Sequence, residues 1–537
     1  MKQRLLATTL SFALAGATVP GPARADDELS RHAIKHVLLI SVDGLHALDL
    51  ANYIKSHPNS ALAELSSHGI TYTNASTSTP SDSFPGLSAL VTGGSPTTAG
   101  FWYDVTWNRA VAPQALGNAG VGSTGGNCPT TTPGAVVEFD EGIDIDLTQL
   151  NGGGGINPQY LPRDFQTCAP IYPHQYLRVN TVFEVVKANG GRTAWTDKHP
   201  SYEWTNGPSG KGVDDFYGPE INSDPVALPF SGCTPVPYVD NTVDDGWTNS
   251  FADIQCYDET HVQAVLNQIN GWTHDGSKHV GTPTLFGTNF QSVSVGEKLK
   301  VDPTNPQMTG GYLDVLGTPG PGLASELDYI DKSLGKFVSA LKKNGLLDST
   351  LIIVGAKHGQ SPIDITKNHN IGGGQPTATL GAADAFDISD DGSLIWLTDS
   401  SLTDSVVAQI SQPSVQAALG IQEIFAGASL QNKFNSPLND PRTPDIILKV
   451  NTGVIFTGGS KIAEHGGFNE DDVHVALLVS NPGLSQHSVN VPVSNQQVPA
   501  SILKALGIDP SELDAVRKDQ VHVLPFLFSD GDSDDKR

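Results

Sequence analysis

Residues 37–42 form a nearly unbroken apolar run that stops at Asp43-Gly44. A run of that length and composition predicts a strand buried on both faces of a parallel sheet. Residues 45–65 then carry a helical period, interrupted near Pro58, and 70–73 predict a short strand. The same alternation returns as a helix over 176–189 running into a strand at 192–196. It is clearest over 323–346, where Leu327, Ile330, Leu334, Phe337 and Leu341 share one helical face ahead of a strand at 351–354. A further buried strand is predicted at 475–479, with a helix at 499–506 behind it. Repeated strand and helix units predict an α/β fold with a mostly parallel central sheet and helices on both faces. In such sheets ligands sit beyond the carboxyl ends of the strands, so the chemistry is expected just after them.

Three long stretches lack this pattern. Residues 102–175, 200–280 and 366–445 are rich in turn-forming residues or mixed in character, and helix and strand units resume after each. They read as loop-rich subdomains inserted into one catalytic domain spanning 26–528. The 56 Gly and 36 Pro among 537 residues make about 17%, against roughly 12% in average usage, which fits long turn-rich loops. Residues 529–537 read as a disordered acidic tail.

Lys2 and Arg4 precede an apolar run over 5–19, and Ala23-Arg24-Ala25 follows with small residues at the two positions that a signal peptidase reads. Residues 1–25 therefore predict a secretory signal peptide and a secreted or periplasmic protein. No apolar run approaches the roughly 20 residues that span a bilayer, so no mature membrane span is expected. Removing 1–25 takes away Lys2, Arg4 and Arg24 and no acid, moving the net charge from -26 to -29. That charge excludes a protein that grips nucleic-acid backbone, which needs a basic face. Four cysteines in an exported chain predict two disulfides. The short separations favour Cys128 with Cys168 and Cys233 with Cys256, without fixing the pairing.

The residues able to do chemistry lie at strand ends. Asp43 follows the first strand. Ser83, in Thr79-Pro80-Ser81-Asp82-Ser83-Phe84-Pro85, opens an apolar helix, where backbone amides favour an anion or a developing alkoxide, although serine at such a place often only caps the helix. Asp314 lies between a strand-like segment and the long helix, Lys357-His358-Gly359 follows the strand at 351–354, and His465 sits in a glycine-flanked turn before the last strand. Carboxylate and imidazole converging in this way suit a divalent cation. His46, one helical turn from Asp43, reads as an ordinary helix histidine. Asp197-Lys198-His199 follows a strand and stands where it would line the pocket.

In this order the constellation resembles the alkaline phosphatase superfamily, and within it the type I phosphodiesterase / nucleotide pyrophosphatase branch. The resemblance rests on Asp43, the Ser83-Phe84-Pro85 stretch, the Asp314 segment, His358-Gly359 and His465-Gly466. It implies that Ser83 is a catalytic nucleophile, with Asp43, Ser83 and His358 holding one metal ion and Asp314 and His465 the other. The implied cofactor is one or two divalent metal ions per chain, zinc by resemblance, with magnesium, manganese or calcium as alternatives.

Two departures stand out. Where relatives read Asp-His-Gly this chain has Lys357-His358-Gly359, and an Asp-x-x-x-His spacing ends here at Thr318 rather than His. Each implied metal site has lost one ligand, and Lys357 becomes a catalytic candidate whose ammonium neutralises phosphate charge. The expected activity is hydrolysis of small phosphorylated substrates, phosphodiesters or nucleotide pyrophosphates, through a phospho-Ser83 intermediate. The alternatives are a non-catalytic protein that binds an anionic or phosphorylated ligand on the same fold, a phosphomonoesterase, or another superfamily hydrolase. The aromatic residues Phe101, Trp102, Tyr103 and Trp107 would offer an apolar wall for a second ester substituent.

Overall fold

The computed structural model describes residues 34–118, 122–234 and 246–528. The predicted signal segment and acidic tail lie outside them. The central sheet has eight strands: β1 His36–Val42, β2 Gly69–Tyr72, β3 Ala194–Thr196, β4 Asp215–Tyr217, β5 Leu285–Phe290, β6 Thr350–Gly355, β7 Leu477–Ser480 and β8 His487–Val489. Their order is β8-β2-β7-β6-β1-β5-β3-β4. Strand β1 lies at the centre, parallel to β5 and β6, with Leu39 opposite Gly287 and Ile353. Only β7 runs against its neighbours, so the sheet is mostly parallel, as the alternation of elements predicts.

The sheet's two faces feed two cores. Val37 and Leu39 of β1 point into one, with helix α1 (Ser83–Thr92) and helix Gln497–Ala505 packed over them; Leu38, Ile40 and Val42 point into the other, beneath helices Ala47–Ser56, Phe251–Ile269 and Pro321–Lys343. Residues 37–40 are each fully buried, so burial of every one contributes about 1.5–3 kcal/mol. The predicted stripe Leu327, Ile330, Leu334, Phe337 and Leu341 faces this second core.

The stretch 200–280, expected to be aperiodic, contains the 19-residue helix Phe251–Ile269. Its inner face includes buried Asp253, Asp258, His261 and Gln268, and these polar residues mask the apolar period. Within 366–445 and just beyond it, Asp384–Ser389, Gly392–Leu397, Ile421–Ala426 and Ile446–Val450 form a separate antiparallel sheet with its own core. The disulfides join Cys128 to Cys168 and Cys233 to Cys256. Among the described residues no helix is long and apolar enough to cross a membrane.

Candidate active site

Four strands of the sheet end on one spot. Asp43 follows β1, Asp197-Lys198 follows β3, Gln291 follows β5, and Lys357-His358 follows β6. Helix α1 enters the same place with its first residue, Ser83. The cap of that helix is Asp82, whose Oδ2 accepts from Phe84 N at 3.1 Å. With capping assigned to Asp82, Ser83 Oγ is free for other partners: Lys198 Nζ stands 3.1 Å away and His358 Nε2 3.3 Å away. Gly86 lets the helix approach this closely, since a Cβ there would lie 2.1 Å from the carbonyl oxygen of Lys357.

Asp43 is fully buried and surrounded by donors. Its Oδ2 accepts from Gln291 Nε2 at 2.6 Å, and Asn289, with its amide turned to satisfy both atoms, donates to Oδ1 at 2.9 Å. Lys198 Nζ and Lys357 Nζ each lie 3.9 Å from Oδ2, and His358 Nε2 lies at 3.6 Å. Burial works to raise the Asp43 pKa, but Lys357, His358 and Lys198 outweigh it and hold the carboxyl far below the usual range. Lys357 is itself fully buried. It donates to Asp197 Oδ1 at 2.8 Å and sits 4.2 Å from the centre of the Tyr202 ring.

His358 Nδ1 is 3.1 Å from the Gly359 carbonyl. A carbonyl only accepts, so Nδ1 bears the proton, and Nε2 presents its lone pair to Ser83. Burial, opposed by Asp43, lowers the His358 pKa and favours this neutral form. The His358 and His465 rings lie with centroids 3.9 Å apart, tilted by 32°.

His465 Nδ1 and Asp82 Oδ1 are 3.6 Å apart, buried, and without a hydrogen-bond partner among the described residues. Burial and the neighbouring Asp104 push the Asp82 carboxyl well up, as happens to a carboxylate that lacks a counter-ion. Two ligand atoms on one ion with bonds of about 2.1 Å at the tetrahedral angle stand roughly 3.4 Å apart, so this pair fits a divalent cation with little closure. The Asp43 side does not fit a second one. Its carboxylate is already engaged by amide donors, and a divalent ion about 4 Å from either ammonium would be repelled by roughly 8 kcal/mol at an effective dielectric near 20.

The structure therefore brings together Asp43, Ser83, Lys357, His358 and His465. The expectation for Asp314 is corrected. It lies on an exposed turn, where its carboxylate accepts from Thr318 Oγ1 at 2.7 Å and from the Leu316 and Thr318 amides; it closes that turn and does not join the cluster. The aromatic wall is likewise not free. Phe101 packs on Phe84 and Trp204, Trp102 packs on Phe434, and both are 1% exposed. His46 caps helix Ala47–Ser56 and bonds Asp49 and Tyr312 through Nδ1. Glu297 completes that cluster, which is satisfied internally. Sequence reasoning missed Asp82, whose signal is its place beside Ser83, and Gln291, which has no motif to mark it.

Comparison with known proteins gives the same outline. The model of the type I phosphodiesterase / nucleotide pyrophosphatase family matches residues 37–116 and 155–473. No curated protein sequence matches the chain. Among solved structures, murine ectonucleotide pyrophosphatase / phosphodiesterase 5 is similar at 12% identity and TM-score 0.51, covering 88% of this chain and 96% of that one. An inactive variant of the murine protein, solved in complex with AMP, is similar with TM-score 0.52 at 12% identity over 89% of this chain and 96% of that one. The alkaline phosphatase PafA reaches a TM-score of 0.57 at 12% identity, with 89% and 96% covered. At these identities the likeness concerns the alkaline-phosphatase-like fold.

Proposed function

The chain belongs to the type I phosphodiesterase / nucleotide pyrophosphatase family and is a phosphoric ester hydrolase, and we propose that it is an exported enzyme cleaving phosphodiester or nucleotide pyrophosphate bonds through a phospho-Ser83 intermediate. The observation that supports this most is the division of labour at the start of helix α1. Asp82 caps the helix, so Ser83 Oγ is held between Lys198 Nζ and His358 Nε2. Oγ attacks phosphorus as its proton passes to the bare Nε2 of His358, and the bond to the leaving oxygen breaks with its electron pair. Water then attacks the phosphoryl group, the bond to Oγ breaks, and Ser83 is restored. Asp82 and His465 would hold one divalent cation, which supplies Lewis-acid polarisation of a phosphoryl oxygen.

Diesters are favoured over monoesters on electrostatic grounds. A monoester dianion brings one more negative charge at phosphorus, and the two ammonium groups beside Ser83 are already engaged by Asp43 and Asp197. The AMP complex of the murine relative's variant supports a nucleotide-type substrate. Export rests on the basic start, apolar run and Ala-Arg-Ala end of residues 1–25 and agrees with the two disulfides.

The test is hydrolysis of bis-p-nitrophenyl phosphate and p-nitrophenyl phosphate under matched metal and pH. The diester is expected to show the higher kcat/KM. Ser83→Ala should remain folded and lose several orders of magnitude in rate. Unchanged turnover in that variant would move the chemistry elsewhere, and the reverse substrate order would make monoesters the target class.

A further inference from the structure

The two lysines beside Ser83 are not equivalent. Lys357 is fully buried and committed to Asp197 and to the face of Tyr202. Its ammonium is given to Asp197 and, among the described residues, not to Ser83, so it acts as a positioning residue that fixes Asp197 and balances Asp43. The Lys198 side chain is 14% exposed and carries its ammonium to 3.1 Å from Ser83 Oγ. Its backbone is anchored on three sides. Lys198 N donates to Asp197 Oδ1 at 2.9 Å, and the Lys198 carbonyl accepts from Ile221 N and from Tyr257 Oη, both at 3.1 Å. The ammonium is thus aimed at Ser83 Oγ by fixed structure and not by a free surface chain.

We infer that Lys198 is a catalytic residue: its ammonium, 3.1 Å from Ser83 Oγ and 3.9 Å from Asp43, takes the place of a metal ion on the Asp43 side of the nucleophile. The inference rests on the reading of Ser83 as the nucleophile. As the bond from Oγ to phosphorus forms and the bond to the leaving oxygen breaks, the serine proton goes to His358 Nε2. Lys198 keeps its own protons throughout. It stabilises the developing charge on Oγ and then the non-bridging oxygen drawn in beside it. One fixed cation and one exchangeable ion would share the work, and the enzyme needs a metal only on the Asp82–His465 side.

The experiment compares the full-length enzyme with Lys198→Ala and Lys198→Met on bis-p-nitrophenyl phosphate, with thermal unfolding recorded for each. Loss of the cation should lower kcat/KM by about 10²–10³-fold. Added methylammonium should raise the rate of Lys198→Ala at least about tenfold, because a small amine re-enters the vacated space, and should leave the wild type and Ser83→Ala unchanged. A purely structural lysine would show no such rescue. Retention of wild-type turnover in either variant overturns the inference, and so does absence of amine rescue in a Lys198→Ala protein that unfolds near the wild-type temperature. Acid-quenched turnover of the wild type, followed by mass spectrometry of the Ser83 peptide, separates the two readings. A phosphoryl adduct on Ser83 with no amine rescue removes only the role of Lys198, whereas an adduct on another residue removes the nucleophile and the inference together.

Discussion

His465 Nδ1 and Asp82 Oδ1 face each other across 3.6 Å in the interior, and neither atom has a hydrogen-bond partner among the described residues. A bare nitrogen and a bare carboxylate oxygen at that separation are costly to bury unless something positive lies between them. The Lys198 and Lys357 ammonium groups each stand 3.9 Å from Asp43 instead, so the expected division is between one exchangeable cation and two fixed ones.

One divalent ion per chain is therefore expected in purified enzyme, measured by elemental analysis after dialysis. Asp82→Asn keeps an oxygen to cap Phe84 N while removing the charge. It should weaken metal binding by more than the roughly 10–100-fold typical of a lost supporting hydrogen bond. Lys357→Asp replaces a positive charge near Asp43 with a carboxylate and should admit a second ion. Two tightly bound ions in the unmodified enzyme would contradict the arrangement.

Gly86 sets the distance between the nucleophile and the end of β6. A Cβ would stand 2.1 Å from the Lys357 carbonyl oxygen and 2.7 Å from its carbon. Both are backbone atoms, so the helix or the strand end has to move. Gly86→Ala should cost about 1–3 kcal/mol of stability, visible in urea unfolding. A displacement near 1 Å between Ser83 and His358 should also lower kcat/KM by about 10²-fold. A variant with normal kcat/KM would show that the Ser83–His358 geometry is not set here.

Much of this architecture is legible in the chain because apolar runs end directly on reactive residues. Strand β1 stops at Asp43, and β6 stops just before Lys357-His358. The central strand β5 is harder to read because its run, Leu-Phe-Gly-Thr-Asn-Phe, is broken by residues needed for other reasons. A Cβ on Gly287 would lie 1.9 Å from the Leu39 carbonyl oxygen, and Asn289 serves Asp43 and Lys357. Asp314 has the reverse problem. Its sequence setting suits a ligand, but the three apolar residues around it, Leu313, Val315 and Leu316, are 60–71% exposed, and no alternation of residue type announces that. Asp82 was hidden by its neighbour, since an aspartate just before a helix reads as a cap, which it is, while its second oxygen is the one that matters for the site.

His261, on the inner face of helix Phe251–Ile269, gives a stability test independent of the chemistry. It is fully buried, and its Nδ1 shares a 2.7 Å hydrogen bond with Thr196 Oγ1. Burial first, and the nearby Lys357 second, push its pKa down to about 3, against roughly 6.5 in an unfolded chain. Between those two values the unfolded chain binds a proton that the folded one refuses, so stability is intact above pH 6.5 and falls as the pH drops. The slope is about 1.4 kcal/mol per pH unit, or about 2 kcal/mol between pH 7 and pH 5. Other buried groups titrate over the same range, so the comparison is made against His261→Gln, which cannot take up the proton. Urea unfolding of the wild type should weaken by about 2 kcal/mol more than that of the variant across this interval. If both lose the same amount, His261 accepts its proton inside the fold and the lysine-lined interior is less closed to charge than its burial implies.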